Sequence, residues 1–173
     1  IIMSVNPTIS TKELEILAPA LFTQEPHSDT SNKYYFIKTI DVIEEIKANN
    51  WYPVSVKVSN VRDEEKEGFQ QHCVRFRHFE DLLNPKDNAV ELLLFNSHDR
   101  TKAFSISAGI FRFICANGLV LADSVFETYK IKHLGERDND VANAVNQITA
   151  IKDKLMNKIN TLSNIKLSQL EKE

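Results

Sequence analysis

The residues of this 173-residue chain best placed to do chemistry are His98 and Asp99, which follow the apolar run 90–95. Polar groups presented where a buried strand leaves its core are held by a rigid scaffold, a frequent location for a functional site. A histidine beside an aspartate offers a general base with its orienting carboxylate, or two metal ligands. Adjacent side chains on extended backbone point apart, so the competing reading is a structural turn in which Asp99 accepts backbone donors. His133 is the remaining catalytic candidate. With Cys115 it completes a set of zinc-compatible ligands, but no paired Cys/His spacing joins them, and a cysteine among Phe111, Phe113 and Ile114 reads as a small core residue. No metal and no cofactor is therefore expected.

Arg112 has apolar neighbours on both sides, and a charge in such company needs an ion-pair partner or a phosphate. Asp99 is the preferred internal partner, with an anion site of equal weight. Arg75, Arg77, Lys130 and Lys132 fall on strand-like segments with Phe79, Phe126 and Tyr129 close in sequence. Basic residues alternating with aromatics on a sheet can follow a phosphodiester backbone and stack unpaired bases, although a solvated sheet face gives the same pattern. The formal net charge of −3 excludes a global cationic field of the kind that grips duplex DNA, so any nucleic-acid site must be local. Residues 68–135 carry eight Lys/Arg against seven Asp/Glu and hold four of the five histidines, which points to one face. Walker, dinucleotide-binding, nucleophile-elbow and His-Glu-x-x-His motifs are all missing from the sequence.

The elements that must position these residues follow from periodicity. Ser10 with Glu13 is a capping-box signature ahead of Leu14, Leu17 and Leu21, and Pro19 limits that first helix. Residues 23–33 read as a loop and 34–37 as a short strand, after which Thr39 caps a helix bearing Ile40, Ile43 and Ile46 and ending at Asn49-Asn50. Val54, Val56 and Val58 alternate with polar residues as a half-buried strand. A turn over 62–68 leads into a strand at 72–79, with Val74 and Phe76 on one face and Arg75 and Arg77 on the other. Residues 90–95 suit a central strand, 103–107 its neighbour, and 125–133 a further strand. Between them 110–117 reads as a helix ended by Asn117-Gly118, or as a strand turning through that pair. The connections are too short for crossover helices, so the sheet should be an antiparallel meander.

From 138 to 170 apolar residues recur every three or four positions as one long amphipathic helix. Packing across its own sheet is the first reading; a homo-oligomer joined through this helix is the second, and Leu155 and Ile159 on its face are where a host-protein-binding module would be sensitive to change. The fold class expected is α+β, a single domain over 1–173 with a flexible stretch at 1–9, a sheet-containing core at 34–135 and the terminal helix. No apolar run is long enough to span a bilayer, and Cys73 and Cys115 lack a Cys-x-x-Cys spacing, which together suggest a cytoplasmic protein with free thiols. The first residues have no secretory character, and because the sequence begins before a methionine, Met3 is a candidate natural start.

Three stretches carry a resemblance: Asn96-Ser97-His98-Asp99 after Phe95, then Gly109 to Leu119 with Arg112, Cys115, Asn117 and Gly118, then Lys132-His133-Leu134-Gly135. They resemble the "NSHDG", "FRxxCxNG" and basic His-containing motifs of the domain of unknown function 932 family. Where that family commonly has glycine, this chain has Arg100, so its turn must manage without glycine's freedom at positive φ. Relatives often continue into a further C-terminal region. The resemblance implies a passenger of phages, plasmids and prophages, and with the basic strands it favours a non-enzymatic, nucleic-acid-associated accessory protein. The alternatives are a module binding a host protein such as a defence component, and a small hydrolase built on His98, Asp99, Arg112 and His133.

Overall fold

Hydrogen bonds near the N-terminus set the first element. Ser10 Oγ accepts the Glu13 N–H at 3.2 Å and the Glu13 carboxylate accepts the Ser10 N–H at 2.7 Å, closing the capping box that opens α1 (Thr11–Leu17). Pro19 then turns the chain into a short 3-10 helix, Pro19–Phe22. The computed structural model describes residues 8–86, 89–113, 120–135 and 138–170, and side chains except those of 112, 113, 120–124, 138 and 162–170. Ile9, within the stretch expected to be flexible, donates its N–H to the Pro53 carbonyl at 2.8 Å; 1–7 lie outside the described residues.

Five antiparallel strands pair in chain order: β1 (Trp51–Val58), β2 (His72–His78), β3 (Glu91–Asn96), β4 (Phe104–Phe113) and β5 (Val120–Ile131). The α+β class and the meander are thus as the periodicity requires, with β3 central. Alternation along the strands puts Val74, Phe76, Leu92, Leu94, Ile106 and Ala108 on one face, fully buried. Against them lie Leu14, Leu21, Ile43 and Ile46, the last two from α2 (Thr39–Ala48), and Val145 and Ile148 from α4 (Asp138–Thr149). Each such side chain contributes roughly 1.5–3 kcal/mol by leaving water. The opposite face holds only a small cluster of strand residues, Cys73, Leu93, Phe95 and Phe111. The helices therefore form one layer, and the sheet is covered on one side among the described residues.

Several local expectations are corrected. Residues 34–37 are not a strand: Tyr35 donates its N–H to the His133 carbonyl, and the segment joins no ladder among the described residues. Thr39 is the first helical residue rather than the cap, because its hydroxyl is turned inward to His72. Phe79 opens a short helix, α3 (Phe79–Leu83), instead of closing β2. Residues 110–113 continue β4, so the helical reading of 110–117 fails there; Cys115, Asn117 and Gly118 lie outside the described residues. Val54 is the extra residue of a bulge in β1, which disturbs the alternation expected from its valines.

The long terminal helix is broken at Ala150-Ile151 into α4 and α5 (Lys152–Leu170). The cause lies elsewhere in the chain. The buried Trp51 indole donates to the Thr149 carbonyl at 3.2 Å, taking the acceptor that a continuous helix would have offered to residue 153. Lys152 is then drawn down to Glu80 at 2.5 Å and Asp81 at 3.5 Å. Leu155 is 4% exposed and sits in the chain's own core.

The turn between β3 and β4 places Arg100 at φ +61°, a left-handed conformation that costs a residue with a Cβ about 1 kcal/mol or more. Replacing Arg100→Gly should therefore stabilise the fold by up to ~1 kcal/mol, read as a higher urea midpoint with an unchanged m-value.

Candidate functional site

The end of β3 is organised around buried polar groups. Asn96 Nδ2 donates to the Ile37 carbonyl and to Thr39 Oγ1, both at 3.0 Å. Thr39 Oγ1 is 2.7 Å from His72 Nε2, and His72 Nδ1 is 3.0 Å from the Gln70 carbonyl. A carbonyl only accepts, so Nδ1 carries the proton, Nε2 is a bare acceptor and the Thr39 hydroxyl donates to it. The result is a four-member relay, Asn96 to Thr39 to His72 to Gln70, that requires a neutral imidazole. Burial pushes the His72 ring down to about 4, in keeping with that role.

His98 lies beside this relay with no solvent exposure, its ring 5.1 Å from His72 and 4.8 Å from Phe36. Its N–H donates to the Phe69 carbonyl and its carbonyl accepts from the His27 N–H, each at 2.8 Å. Neither ring nitrogen has a hydrogen bond of normal geometry, and burial, reinforced by the neighbouring His72, pushes the ring down to about 3. Asp99, in the bend beyond β3, is engaged by its own turn: its Oδ1 accepts from the Thr101 N–H at 3.1 Å and the Thr101 hydroxyl at 2.5 Å. Ser97 Oγ accepts from the Lys102 N–H at 2.9 Å, and its carbonyl accepts from the Tyr34 hydroxyl at 3.1 Å. His133 joins from beyond β5, its Nδ1 donating to the Tyr35 carbonyl at 2.8 Å and its ring stacked 4.7 Å from that of Tyr34.

His72, His98, Asp99 and His133 are thus brought to one end of the sheet, but as an enclosed assembly rather than an open cleft. Among the described residues no group of three His, Cys, Asp or Glu could hold a metal. Arg112 does not join them. It lies in β4 eight positions beyond Phe104, opposite Leu121, so its backbone is ~26 Å along the strand from the Asp99 turn. The expected Arg112–Asp99 ion pair is excluded by that distance, and so is a hydrolytic site shared by His98, Asp99, Arg112 and His133.

The basic candidates divide in the same way. Arg75 Nε lies 3.3 Å and Arg77 Nη2 3.4 Å from Glu91 Oε2, on the open face of the sheet. Glu91 is buried, and burial raises its carboxyl more than the two guanidinium groups lower it. Both arginines are therefore committed to an internal carboxylate. Lys130 and Lys132 are exposed and make no ion pair with any described residue. Lys130 faces a groove of about 580 Å³ on the open face, with Phe95, Lys102, Ser105, Ser107 and Phe111 among its walls. Lys102 Nζ sits 4.9 Å above the Phe95 ring, and Ser107 and Thr128 share a hydroxyl contact at 3.0 Å across β4 and β5. Sequence reasoning passed over Glu91, Phe95 and Lys102. The available signal was a lone carboxylate inside an apolar run, preceded by a strand with two arginines on one side.

The family model for a domain of unknown function (DUF932) matches residues 26–173. The chain belongs to the DUF932 family. Among curated DUF932-like relatives, the UPF0380 proteins YafZ and YfjQ of Escherichia coli (strain K12) are 27% and 26% identical to it over 159 residues. Those alignments cover 92% of this chain but 57% of each relative, so the chain spans little more than half of their length. No solved structure matches it. The DUF932 motif around residues 96–99 is therefore, in this member, a set of buried turn and relay contacts.

The histidines give the DUF932 chain a definite acid response. His72 and His98 titrate lower in the folded state than their ordinary value of 6.5, so between about 6.5 and 4 the unfolded chain binds more protons than the folded one. Stability is full above 6.5 and falls as pH drops through that window, by up to ~1.4 kcal/mol per pH unit for each group. Urea unfolding followed from pH 7 to pH 4 should show this loss, and His98→Phe should flatten its slope (about one proton fewer).

Proposed function

We propose that this chain is a non-enzymatic accessory protein of a mobile element that holds single-stranded nucleic acid, in the cytoplasm, on the open face of its sheet. The observation that carries the reading is the groove over β3, β4 and β5. Phe95 and Phe111 give it an aromatic and apolar floor, Ser105, Ser107 and Thr128 line it with hydroxyls, and Lys102 and Lys130 bring positive charge. Unpaired bases offer π faces to such a floor while lysines follow the phosphates, and no sequence-specific pocket is needed. A net charge of −3 on the whole chain fits contact confined to this face. Arg75 and Arg77, neutralised in part by Glu91, are placed at the margin, where they support the sheet more than they grip a strand. Arg112 and Lys132 are secondary contacts in this reading.

Fluorescence anisotropy with a labelled oligothymidylate and with a duplex, each at two salt concentrations, tests it. Single strands should bind in preference to duplex. Phe95→Ala should weaken binding by at least ~5-fold, the lower end of one lost stacking contact. Lys102→Glu and Lys130→Glu should each weaken binding and reduce the salt slope by about 1, whereas Arg75→Gln should change it little. Absence of binding to either form at low salt removes the proposal.

A further inference from the structure

The two edges of the sheet differ. At β1 the edge is blunted: Val54 bulges between Pro53 and Ser55, Pro53 has no N–H to offer, and its carbonyl already accepts from Ile9 at 2.8 Å. At β5 two register shifts leave Phe126 and Asp123 without partners in β4, which disturbs the strand over 122–126. From Glu127 to Ile131 the register with β4 runs unbroken, from Ala108↔Glu127 to Phe104↔Ile131. Among the described residues no strand pairs with the outer side of this stretch, so alternate residues turn their backbone N–H and C=O groups outward.

A groove of about 410 Å³ runs beside this same stretch. Tyr129, Lys130, Ile131 and Lys132 form its strand wall, and α4 forms the other wall with Asn143 and Gln147, one helical turn apart and both exposed. A regular, unpaired edge next to a helix is the geometry in which an extended peptide adds to a sheet, its backbone completing the ladder and alternate side chains entering the groove. Lys130 and Lys132 are two residues apart, exposed and without an ion pair to any described residue; Lys130 lies opposite Ser105 on the open-face side of β5, so the lysines meet those alternate side chains of an incoming strand that point away from α4, while the intervening ones face Tyr129, Ile131 and the groove. Asp140, at the start of α4, is the one carboxylate in the lining.

We propose that this groove binds an extended segment of a partner protein carrying Asp or Glu at alternate positions, which adds to β5 as a sixth strand. The proposal goes beyond the nucleic-acid reading: Lys130 lines both grooves and Lys132 is a secondary contact of that reading, but α4 does not line the open-face groove and Phe95 and Lys102 do not line this one, so changes at Phe95 and Lys102 separate the two.

Selection from a random-peptide phage library against the whole chain, followed by anisotropy and amide chemical-shift mapping with the selected peptide, tests it. The expected peptides carry acidic residues at alternate positions and shift the amides of Tyr129 to Lys132 and of Asn143 to Gln147. The double substitution Lys130→Glu with Lys132→Glu should weaken binding at least ~10-fold while leaving the urea midpoint unchanged. Lys132→Gln should give an intermediate loss, and Phe95→Ala should leave peptide binding as it was. The proposal is overturned if no sequence is enriched, if the selected peptides shift amides elsewhere or tolerate the double substitution, or if sedimentation shows β5 already occupied by a second copy.

Discussion

The relay from Asn96 through Thr39 to His72 and Gln70 is the constraint on which the rest of the molecule depends. It joins the end of the central strand β3, the first residue of α2 and the first residue of β2, all with no more than 1% exposure. A buried polar group without a partner costs roughly 1–3 kcal/mol, so losing a link of the relay would add to the one acceptor in it already unsatisfied, Asn96 Oδ1. With α2 pinned at its N-terminus, Ile43 and Ile46 are set against Val74 and Leu94, and the helical layer is fixed to one face of the sheet. His98 fills the space beside the relay, and the Asp99 and Arg100 turn closes over it.

That arrangement changes where function is to be sought. A His-Asp pair at a strand end reads as a catalytic pair, yet here the two side chains diverge: His98 packs into the core and Asp99 holds its own turn. The surfaces left for partners are those the relay does not consume. One is the open sheet face, where apolar and hydroxyl side chains are edged by lysines. The other is the regular part of β5, where the register with β4 runs without a bulge from Glu127 to Ile131. Glu91 links the two halves of the description. By drawing Arg75 and Arg77 to itself, it offsets part of their charge at the margin of the open face and leaves Lys102 and Lys130 as the cations that line the groove.

Much of the architecture could be read from local pattern, because it is written locally. The Ser10–Glu13 box, the α2 stripe and the alternation in β2 each depend on residues within a turn or two of one another. What escaped depends on distant partners. Tyr34 to Ile37 have strand-forming side chains, but their contacts go to His133, Ser97, His98 and Asn96 rather than to a neighbouring strand, and Thr39 has a cap-forming hydroxyl that His72 takes instead. The 138–170 period is continuous, yet an indole from residue 51 interrupts it. Arg112 and Asp99 were paired by chemical complementarity, which carries no information about their separation along β4. At Arg100 the turn, expected to manage without glycine's freedom, nevertheless takes up a positive φ, with the strain on a residue that carries a Cβ.

The central claim is that residues 96–99 are a structural relay and turn, not a reactive centre. A double-mutant cycle on Asn96→Ala and Thr39→Ala, measured by urea unfolding at neutral pH, tests it most directly. If the relay acts as a unit, each single change is strongly destabilising and the pair shows a coupling energy of ~1 kcal/mol or more. Additivity within ~0.5 kcal/mol, or single variants as stable as the parent chain, would contradict it.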